Sequence, residues 1–437
     1  MKSIWIDDVK FPCFDKLEGE IKTDVLIIGG GIAGILCGYM IKQAGIDCTV
    51  VEANTICSGI TKNTTAKITC QHGLVYSQMI KRFGIDFAQL YIEAQQEALN
   101  IYRQMSEKIP CDFENKDSYV YSVDKRQIIE EELKALERLG AKPVFTPQIP
   151  LPVSVKGAVG IKNQAQFNPL NFLCAVSKEL KIFENTKVKE LTPHGAICEN
   201  GKIKAEKIIV ATHFPFLNKH GSYFLKMYQH RSYVIGYKNL PEVDGMFVDE
   251  NKKGMSFRDY GDVVLIGGGS HRTGKDGGAW REISEFTTKN FPDAKEVCRF
   301  ATQDCMTLDD IPYIGQYSKS TPNLYVATGF NKWGMTSAMV SGIILKDLVQ
   351  GKENKYKKVF SPSRSMLRPQ LMVNAVDSLL GMVTPTTPRC PHLGCALKYN
   401  KQEHSWDCPC HGSRFDKNGN LIDNPSTDDI NIKKNNH

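Results

Sequence analysis

The chain has 437 residues, of which 41% are hydrophobic and 24% charged, and a formal net charge of +7. This composition is typical of a soluble globular protein with two or three domains, and it excludes a disordered or fibrous chain. No block of like charges predicts a nucleic-acid-binding arm. The N-terminus lacks the apolar core of a signal peptide, so we expect a cytoplasmic protein with no membrane span. Most of the 14 cysteines are scattered, which fits a reducing compartment.

The first predicted unit is a strand, a glycine-rich turn, a helix and a second strand. Thr23–Ile28 is an apolar run typical of a buried parallel strand, and G-x-G-x-x-G follows from Gly29 to Gly34. Such glycines allow a tight turn and a close approach to a pyrophosphate. Glu52 ends the second strand 18 residues after Gly34, where a carboxylate can bind ribose hydroxyls. The residues predicted to contact a dinucleotide here are Gly29, Gly31, Ile32, Ala33, Gly34, Glu52 and Ala53.

The middle of the chain predicts helices followed by strands. Apolar spacing indicates helices over Phe87–Glu107 and Gln127–Leu139, and Asn168-Pro169 is typical of a helix start. Strands are predicted over Tyr233–Lys238 and Asp262–Ile266. These apolar stripes are interpreted as core.

A second glycine run follows the strand that ends at Ile266. Gly267–Gly269 imitates the dinucleotide fingerprint, but Arg272 stands where the third glycine belongs. We interpret this segment as a strand that leads into a turn. The sequence therefore predicts one dinucleotide site, which argues against a reductase that uses both FAD and NAD(P)H.

Three later segments point to the kind of dinucleotide. Lys207–Ala211 precedes Thr212, and the strand Asn323–Gly329 leads to a helix that begins near Gly334. With the N-terminal fingerprint, this order resembles the D-amino-acid oxidase superfamily of FAD-dependent oxidoreductases, from about residue 24 to residue 351. The resemblance implies FAD as cofactor. It further implies contacts with FAD from Thr61, Thr64, Thr65, Ala66, Val188, Ala211, Thr212, Gly329, Gly334, Met335 and Thr336.

A cysteine and histidine pattern marks the C-terminal part of the chain. Cys390 and His392 form C-P-H, and fifteen residues later Cys408 and His411 form the ends of C-P-C-H. Two thiolates and two imidazoles in this order are the ligand pattern of a Rieske [2Fe-2S] cluster. A Cys2His2 zinc site uses the same ligand types and is the alternative.

The residues around the four ligands extend the resemblance to Rieske proteins of cytochrome bc and b6f complexes. The resemblance implies a disulfide between Cys395 and Cys410, and a hydrogen bond from Ser413 to the cluster. High-potential members carry a tyrosine where this chain has Phe415, so we expect a lower potential. Asn424-Pro425-Ser426 stands in for the Gly-Pro loop of the family.

The predicted fold class is α/β with an α+β substrate domain. A Rossmann-like FAD-binding domain is predicted from residues 1–75, 150–215 and 305–351, and a discontinuous mixed-sheet substrate domain from 76–149 and 216–304. A linker over 352–388, with Pro362, Pro369, Pro385 and Pro388, leads to a small, trimmed all-β Rieske module over 389–437. This module is too short for a full domain, so we expect it to lean on the flavin domain.

The chemistry implied by the resemblance is oxidation of a small amine or amino acid. Electrons would pass from FAD to the cluster and on to a one-electron acceptor that the sequence does not identify. Arg258, Arg231 and Arg272 are candidates to bind a substrate carboxylate, and Lys332 and His72 are candidates to face the flavin. Two other interpretations stay open: an electron-transfer or redox-sensing module reduced by a partner, and a flavin oxidase with a structural zinc clip.

Overall fold

The computed structural model describes residues 2–7, 9–217, 220–365, 368–384 and 388–432. Pro385 of the predicted linker and the last five residues of the predicted cluster module lie outside the described residues. Within them, no helix combines the length and the apolar character needed to cross a bilayer.

The helices in chain order are α1 (Ile32–Gln43), α2 (Tyr76–Phe83), α3 (Ile85–Ser106), α4 (Arg126–Arg138), α5 (Pro169–Ser177), α6 (Tyr223–Lys226), α7 (Ala279–Asn290), α8 (Gly334–Val349), α9 (Lys357–Phe360) and α10 (Pro369–Val383). The strands in chain order are β1 (Gly19–Ile28), β2 (Cys48–Val51), β3 (Lys67–Ile68), β4 (Glu114–Ser122), β5 (Val144–Thr146), β6 (Gly157–Gln166), β7 (Lys181–Phe183), β8 (Val188–Thr192), β9 (Gly195–Cys198), β10 (Gly201–Val210), β11 (Met227–Lys238), β12 (Met246–Asp249), β13 (Ser256–Tyr260), β14 (Val263–Arg272), β15 (Lys295–Thr307), β16 (Tyr313–Gln316), β17 (Leu324–Thr328), β18 (Lys398–Asn400), β19 (Ser405–Asp407), β20 (Arg414–Asp416) and β21 (Leu421–Asp423).

The first sheet confirms the predicted Rossmann-like domain. Its strand order is β16-β17-β10-β1-β2-β7, and β17, β10, β1, β2 and β7 run parallel. Strand β1 is apolar and buried from Val25 to Ile28, because one face of the sheet packs on helices α1 and α8 and the other face packs on strands β8 and β9. Helices α1 and α8 pack together against this sheet. The N-termini of both helices lie at the carboxyl end of this parallel sheet, because α1 follows β1 and α8 follows β17.

The second sheet is mixed, as predicted for the substrate domain. Its order is β15-β11-β14-β13-β12-β4-β6-β3, and β5 pairs with β6. The pair β12 and β4 is parallel, whereas the other neighbours in this order are antiparallel. Strands β3 and β6 belong to this sheet although their residues fall in segments predicted for the FAD domain. The predicted domain boundaries thus cut across strand pairing, because the chain crosses between the two sheets several times.

The local predictions can be compared with these bounds. Helix α5 begins as expected, since the side chain of Asn168 accepts hydrogen bonds from the backbone N–H groups of Leu170 and Asn171. The second glycine run differs from expectation. Strand β14 continues through Gly267 and Gly268 to Arg272, so the turn begins only afterwards. A Cβ at Gly267 would lie 2.6 Å from the hydroxyl of Ser256, which explains a glycine inside this strand.

The C-terminal module is a small antiparallel sheet in the order β18-β19-β20-β21. Its core contains the sulfurs of both ligand loops together with Leu397 and Phe415. The predicted linker carries helices α9 and α10. Helix α10 reaches the cluster loops, because the carbonyl of Gly381 accepts a hydrogen bond from Ala396 N–H.

Candidate functional site

A cavity of about 940 Å³ lies between the two sheets, where α1 and α8 begin. It is bounded by the first sheet, the second sheet and residues 421–427 of the C-terminal module. Of the residues predicted to contact FAD, those that line it are Gly29, Gly31, Ile32, Ala33, Glu52, Ala53, Thr61, Thr64, Thr65, Val188, Ala211, Thr212, Gly329, Gly334 and Met335. The prediction from sequence and the cavity therefore coincide at these positions.

Glycines shape the end of the cavity at the first turn. A Cβ at Gly29 would lie 2.6 Å from the carbonyl oxygen of Ala211, and Gly29 has a φ of 111°. Gly34 does not line the cavity. It packs beneath the turn instead, because a Cβ there would lie 1.8 Å from the carbonyl oxygen of Gly29. The backbone N–H of Gly30 donates to Glu52 at 2.7 Å and fixes the carboxylate beside the turn.

Two helix N-termini open into the same cavity. Neither the N-cap Gly31 of α1 nor the N-cap Trp333 of α8 supplies a side-chain cap. The N–H of Ile32 at the start of α1 donates to the hydroxyl of Thr61 at 3.1 Å, whereas the remaining N–H groups of the first turns and the helix dipole favour an anion. A pyrophosphate beside α1 and the pyrimidine end of a flavin beside α8 would meet this need. The donor set and the cavity thus fit a bound FAD.

His72 fixes the start of α8. Its Nε2–H donates to the carbonyl of Thr69 at 2.9 Å, so its Nδ1 accepts the hydroxyl of Tyr91 at 2.7 Å. Thr336 lies 3.0 Å from Nε2, and the ring stacks on Trp333. Burial lowers the pKa of His72 to about 3, which keeps the ring neutral. Because both nitrogens are engaged, the arrangement favours a positioning role over proton transfer from substrate.

The three candidate arginines lie away from the cavity lining. Arg258 is fully buried and donates to the carbonyls of Thr65, at 2.6 Å, and Ala66, at 3.2 Å. Arg231 pairs with Glu403, and Arg272 donates to Asn374. The expectation that one of them binds a substrate carboxylate in the cavity is therefore corrected. Arg258 supports the threonine loop, and the other two hold the C-terminal module.

Charged groups that the sequence did not single out do line the cavity. Lys67 and Asp304 line it together with the predicted Lys332. Burial lowers the pKa of Lys67 to about 7, and the nearby Arg258 adds to this effect. Burial raises the pKa of Asp304 to about 6, against the opposing influence of Lys332 and Arg231. Strand alternation in β15 alone could not reveal which face Asp304 occupies.

The four predicted cluster ligands converge in the C-terminal module. Cys390, Cys408 and His411 are buried, and the rings of His392 and His411 have centroids 4.9 Å apart. The thiols of Cys390 and Cys408 are hydrogen-bonded to each other. Two sulfurs and two imidazoles within one small core fit a [2Fe-2S] cluster.

The remaining two cysteines of the module form a disulfide. Cys395 and Cys410 are joined, with their Cα atoms 6.6 Å apart, and are thereby removed as metal ligands. The backbone of Gly381 in α10 covers this bond so closely that a Cβ there would lie 2.4 Å from Cys410 Sγ. The disulfide that the resemblance implied is thus present and buried under the linker helix.

Ser413 occupies the predicted donor position. Its hydroxyl accepts the backbone N–H of Ser426 at 2.9 Å, which leaves its hydrogen for the sulfur of Cys390. The pKa of Cys390 is lowered to about 7, chiefly by the hydrogen bond from Cys408, while Ser413 also contributes against the cost of burial. Phe415 is fully buried in the same core and brings no hydroxyl.

Phe415→Tyr is expected to raise the reduction potential of the cluster. A hydroxyl that donates to a cluster sulfur favours the reduced state, and a bond worth about 1–2 kcal/mol corresponds to a shift on the order of 60 mV. Redox titration followed by EPR measures it. Phe415→Leu, which adds no donor, is the control and should leave the potential nearly unchanged. An unchanged potential in the tyrosine variant would contradict the expectation.

The C-terminal module is fastened to the second sheet by buried hydrogen bonds. Gln229 on β11 donates to the carbonyls of His411, at 3.0 Å, and Asn424, at 2.8 Å. Gln303 on β15 donates to the carbonyl of Gly412 at 2.8 Å. Asn424 in turn donates to the carbonyl of Thr212 at 2.7 Å. A cluster ligand is thereby connected to the turn that lines the cavity.

The isolated segment 361–437 is expected not to retain a cluster. Its core is small, and removing the second sheet would leave the carbonyls of His411, Gly412 and Asn424 without their glutamine donors. Iron content and visible absorbance of the purified segment, with the full chain as control, measure this. A soluble segment with full iron content would contradict the prediction.

The fold and both sites define an FAD-dependent oxidoreductase with a Rieske-type iron-sulfur module. The family model "FAD dependent oxidoreductase" matches residues 24–348, and the Rieske [2Fe-2S] domain model matches residues 351–434. The chain belongs to this family of FAD-dependent oxidoreductases and carries a Rieske [2Fe-2S] domain. The match to the Rieske model does not support the zinc alternative. The matched region begins at residue 351, one residue before the predicted linker.

Similar proteins agree with this assignment. The Rieske 2Fe-2S iron-sulfur protein YhfW of Bacillus subtilis (strain 168) is 32% identical over 97% of this chain and 96% of its own length. Two solved structures share the fold of the flavin part. L-proline dehydrogenase from P. horikoshii has a TM-score of 0.67 and 19% identity over 80% of this chain and 98% of its own. Glycine oxidase from Geobacillus kaustophilus has a TM-score of 0.66 and 18% identity over 79% of this chain and 99% of its own.

Proposed function

We propose that this protein oxidises a small amine or amino acid at a C–N bond and passes the electrons singly to an acceptor. When bound, FAD would take two electrons and a proton from the substrate, and the Rieske cluster would release electrons one at a time. The oxidised substrate would be an imine, which water hydrolyses to a carbonyl compound and ammonia. Proteins of similar fold are named for proline and glycine as substrates, which supports this substrate class.

The observation that carries the proposal is the short connection between cavity and cluster loops. Thr212 lines the cavity, its carbonyl accepts from Asn424, and the carbonyl of Asn424 accepts from Gln229. The same side-chain amide of Gln229 donates to the carbonyl of His411. A ligand of the cluster and the predicted flavin contact are thus separated by two side chains.

The chain's own residues have separate roles in this scheme. The glycines of the first turn and the N-termini of α1 and α8 would hold FAD, as would the threonines of residues 61–65. Cys390, His392, Cys408 and His411 would hold the cluster. His72 keeps the start of α8 in place, since neither of its nitrogens is free for a proton from the substrate.

The test uses the protein with both cofactors bound, under anaerobic conditions. A panel of amines and amino acids is added, flavin absorbance is followed, and frozen samples are examined by EPR. We expect a substrate to bleach the flavin and to produce the signal of a reduced Rieske cluster. The control is Cys408→Ser, which should lose the EPR signal but keep flavin bleaching.

Two results would count against the proposal. A bleached flavin beside an oxidised cluster in the unaltered protein would remove the electron-transfer step. In the second result, no member of the panel bleaches the flavin but a reduced electron carrier bleaches it rapidly. That result would support the alternative of an electron-transfer protein that is reduced by a partner protein.

A further inference from the structure

Among the described residues that line the cavity, Lys332 and Asp304 have no partner of opposite charge in contact, as is also true of Lys67 and Glu52. Lys332 Nζ lies 3.3 Å from Ser270 Oγ and 3.4 Å from the carbonyl of Lys252, both long for hydrogen bonds. Within the part of the chain that the structure describes, no carboxylate lies within 4.0 Å of this ammonium. The side chain of Asp304 likewise has no hydrogen-bond donor among the described residues, and it lines the same cavity.

The two groups face the cavity from different elements. Asp304 lies on β15, opposite His230 of β11, and Ser232 and Thr302 on the same face also line the cavity. Lys332 lies in the loop that precedes α8. The two side chains influence each other electrostatically, yet they are not in ion-pair contact. Both side chains are therefore available to a ligand in the cavity.

The backbone holds Lys332 in an unusual conformation. Asn331 and Lys332 have φ angles of 52° and 73°, a region that favours glycine. The side chain of Asn331 fixes this loop by accepting the backbone N–H of Thr307 at 2.8 Å and donating to the carbonyl of Gly329 at 2.7 Å. A lysine with a left-handed backbone and a side chain that lines a cavity is a candidate for a functional role.

Both groups are charged near neutral pH. Burial lowers the pKa of Lys332 to about 8, with Asp304 opposing the shift, so the ammonium stays mostly protonated at pH 7. Asp304, with a pKa of about 6, is mostly ionised at that pH. Lys252, whose carbonyl lies 3.4 Å from Lys332 Nζ, already pairs with Asp310 at 2.8 Å. An unmatched charge in a half-buried site favours a ligand of opposite charge.

We propose that Lys332 and Asp304 form a recognition pair for a zwitterionic substrate, in which Lys332 binds its carboxylate and Asp304 binds its ammonium. This inference rests on the proposed function and decides between its two substrate classes in favour of amino acids over simple amines. It makes Lys332 and Asp304 the residues that determine specificity, in place of the three arginines.

The test compares three probes of one carbon skeleton, none of which can be oxidised to an imine, because the carbon that bears nitrogen has no hydrogen or the probe has no nitrogen. 2-Aminoisobutyrate carries both charges, isobutyrate only the negative one, and tert-butylammonium only the positive one. Binding to the FAD-loaded protein is measured by flavin difference absorbance and by calorimetry. We expect 2-aminoisobutyrate to bind about ten- to a hundredfold more tightly than either singly charged probe.

Variants assign each contact. Lys332→Met should weaken binding of 2-aminoisobutyrate and isobutyrate by about tenfold or more, and leave tert-butylammonium unchanged or tighter. Asp304→Asn should show the reverse selectivity, and Lys332→Arg should restore part of the anion affinity. Lys252→Met is the matched control, because its charge already has a partner. Bound FAD per chain verifies that each variant is folded.

Equal affinity for the three probes, no binding by any of them, or equal losses for all three in Lys332→Met would overturn the proposal. None of these measurements involves electron transfer. Selective probe binding together with a cluster that stays oxidised would support the recognition pair and contradict the proposed electron path. Unselective binding together with a reduced cluster would support the electron path and contradict the recognition pair.

Discussion

Arg414→Met is expected to cost the C-terminal module its cluster and about 3–5 kcal/mol of stability. Arg414 is buried and donates to Asp407 at 3.0 Å, Asp423 at 3.0 Å and Glu403 at 2.8 Å. These carboxylates raise the pKa of the guanidinium above its usual value although burial opposes them. Without the arginine, Asp407 and Asp423 would remain as negative charges in a core that also holds cluster thiolates.

Loss of iron and loss of cluster absorbance in a urea titration measure this effect. The matched control is Arg281→Met, since Arg281 and Glu285 are exposed and 3.8 Å apart. That substitution should change stability by less than about 0.5 kcal/mol. Full iron content and an unchanged urea midpoint in Arg414→Met would show that the buried network does not hold the module together.

Gly34→Ala is expected to weaken FAD binding by roughly tenfold to a hundredfold, as for overpacking by about 1–3 kcal/mol. The new Cβ would lie 1.8 Å from the carbonyl oxygen of Gly29, so strand end and helix start must separate. This moves the backbone that faces the pyrophosphate. FAD per purified chain and fluorescence titration of the FAD-free protein measure the change.

The control for this substitution lies one turn later in the same helix. A Cβ at Gly38 would meet side-chain methyl groups of Val50 at 3.2 Å and Leu180 at 3.4 Å, which can shift. Gly38→Ala should therefore keep FAD affinity within about threefold, helped by the better helix propensity of alanine. If both variants bound FAD like the original chain, the close contact beneath the turn would not matter for the cofactor.

Local patterns made the cofactor sites predictable. The glycine turn with Glu52, and the two ligand loops with their extra cysteines, each depend on residue types at short spacing. The geometry of each motif depends on residues that are close in the chain, so it does not require knowledge of contacts between distant segments. The resemblance then supplied FAD and the cluster, and the cavity and the ligand core agree with it.

Contacts between distant segments were not predictable from the sequence. Gln229 and His411 are separated by 182 positions, and Arg231 and Glu403 by 172. An arginine in an isolated strand looks the same whether it faces a substrate or another part of the chain. The arginine prediction failed for this reason, and Asp304 was missed because which face of β15 it occupies depends on the pairing with β11.

The two faces of strand β11 contact different parts of the protein. Gln229 and Arg231 contact the iron-sulfur module, while Ser232 and Val234 line the cavity on the opposite face. A substitution on one face can leave the other untouched, so cavity and docking surface can vary independently. Insertion or deletion of one residue would exchange the two faces over the rest of the strand. The length of this strand is therefore more strictly constrained than the side chains on either face.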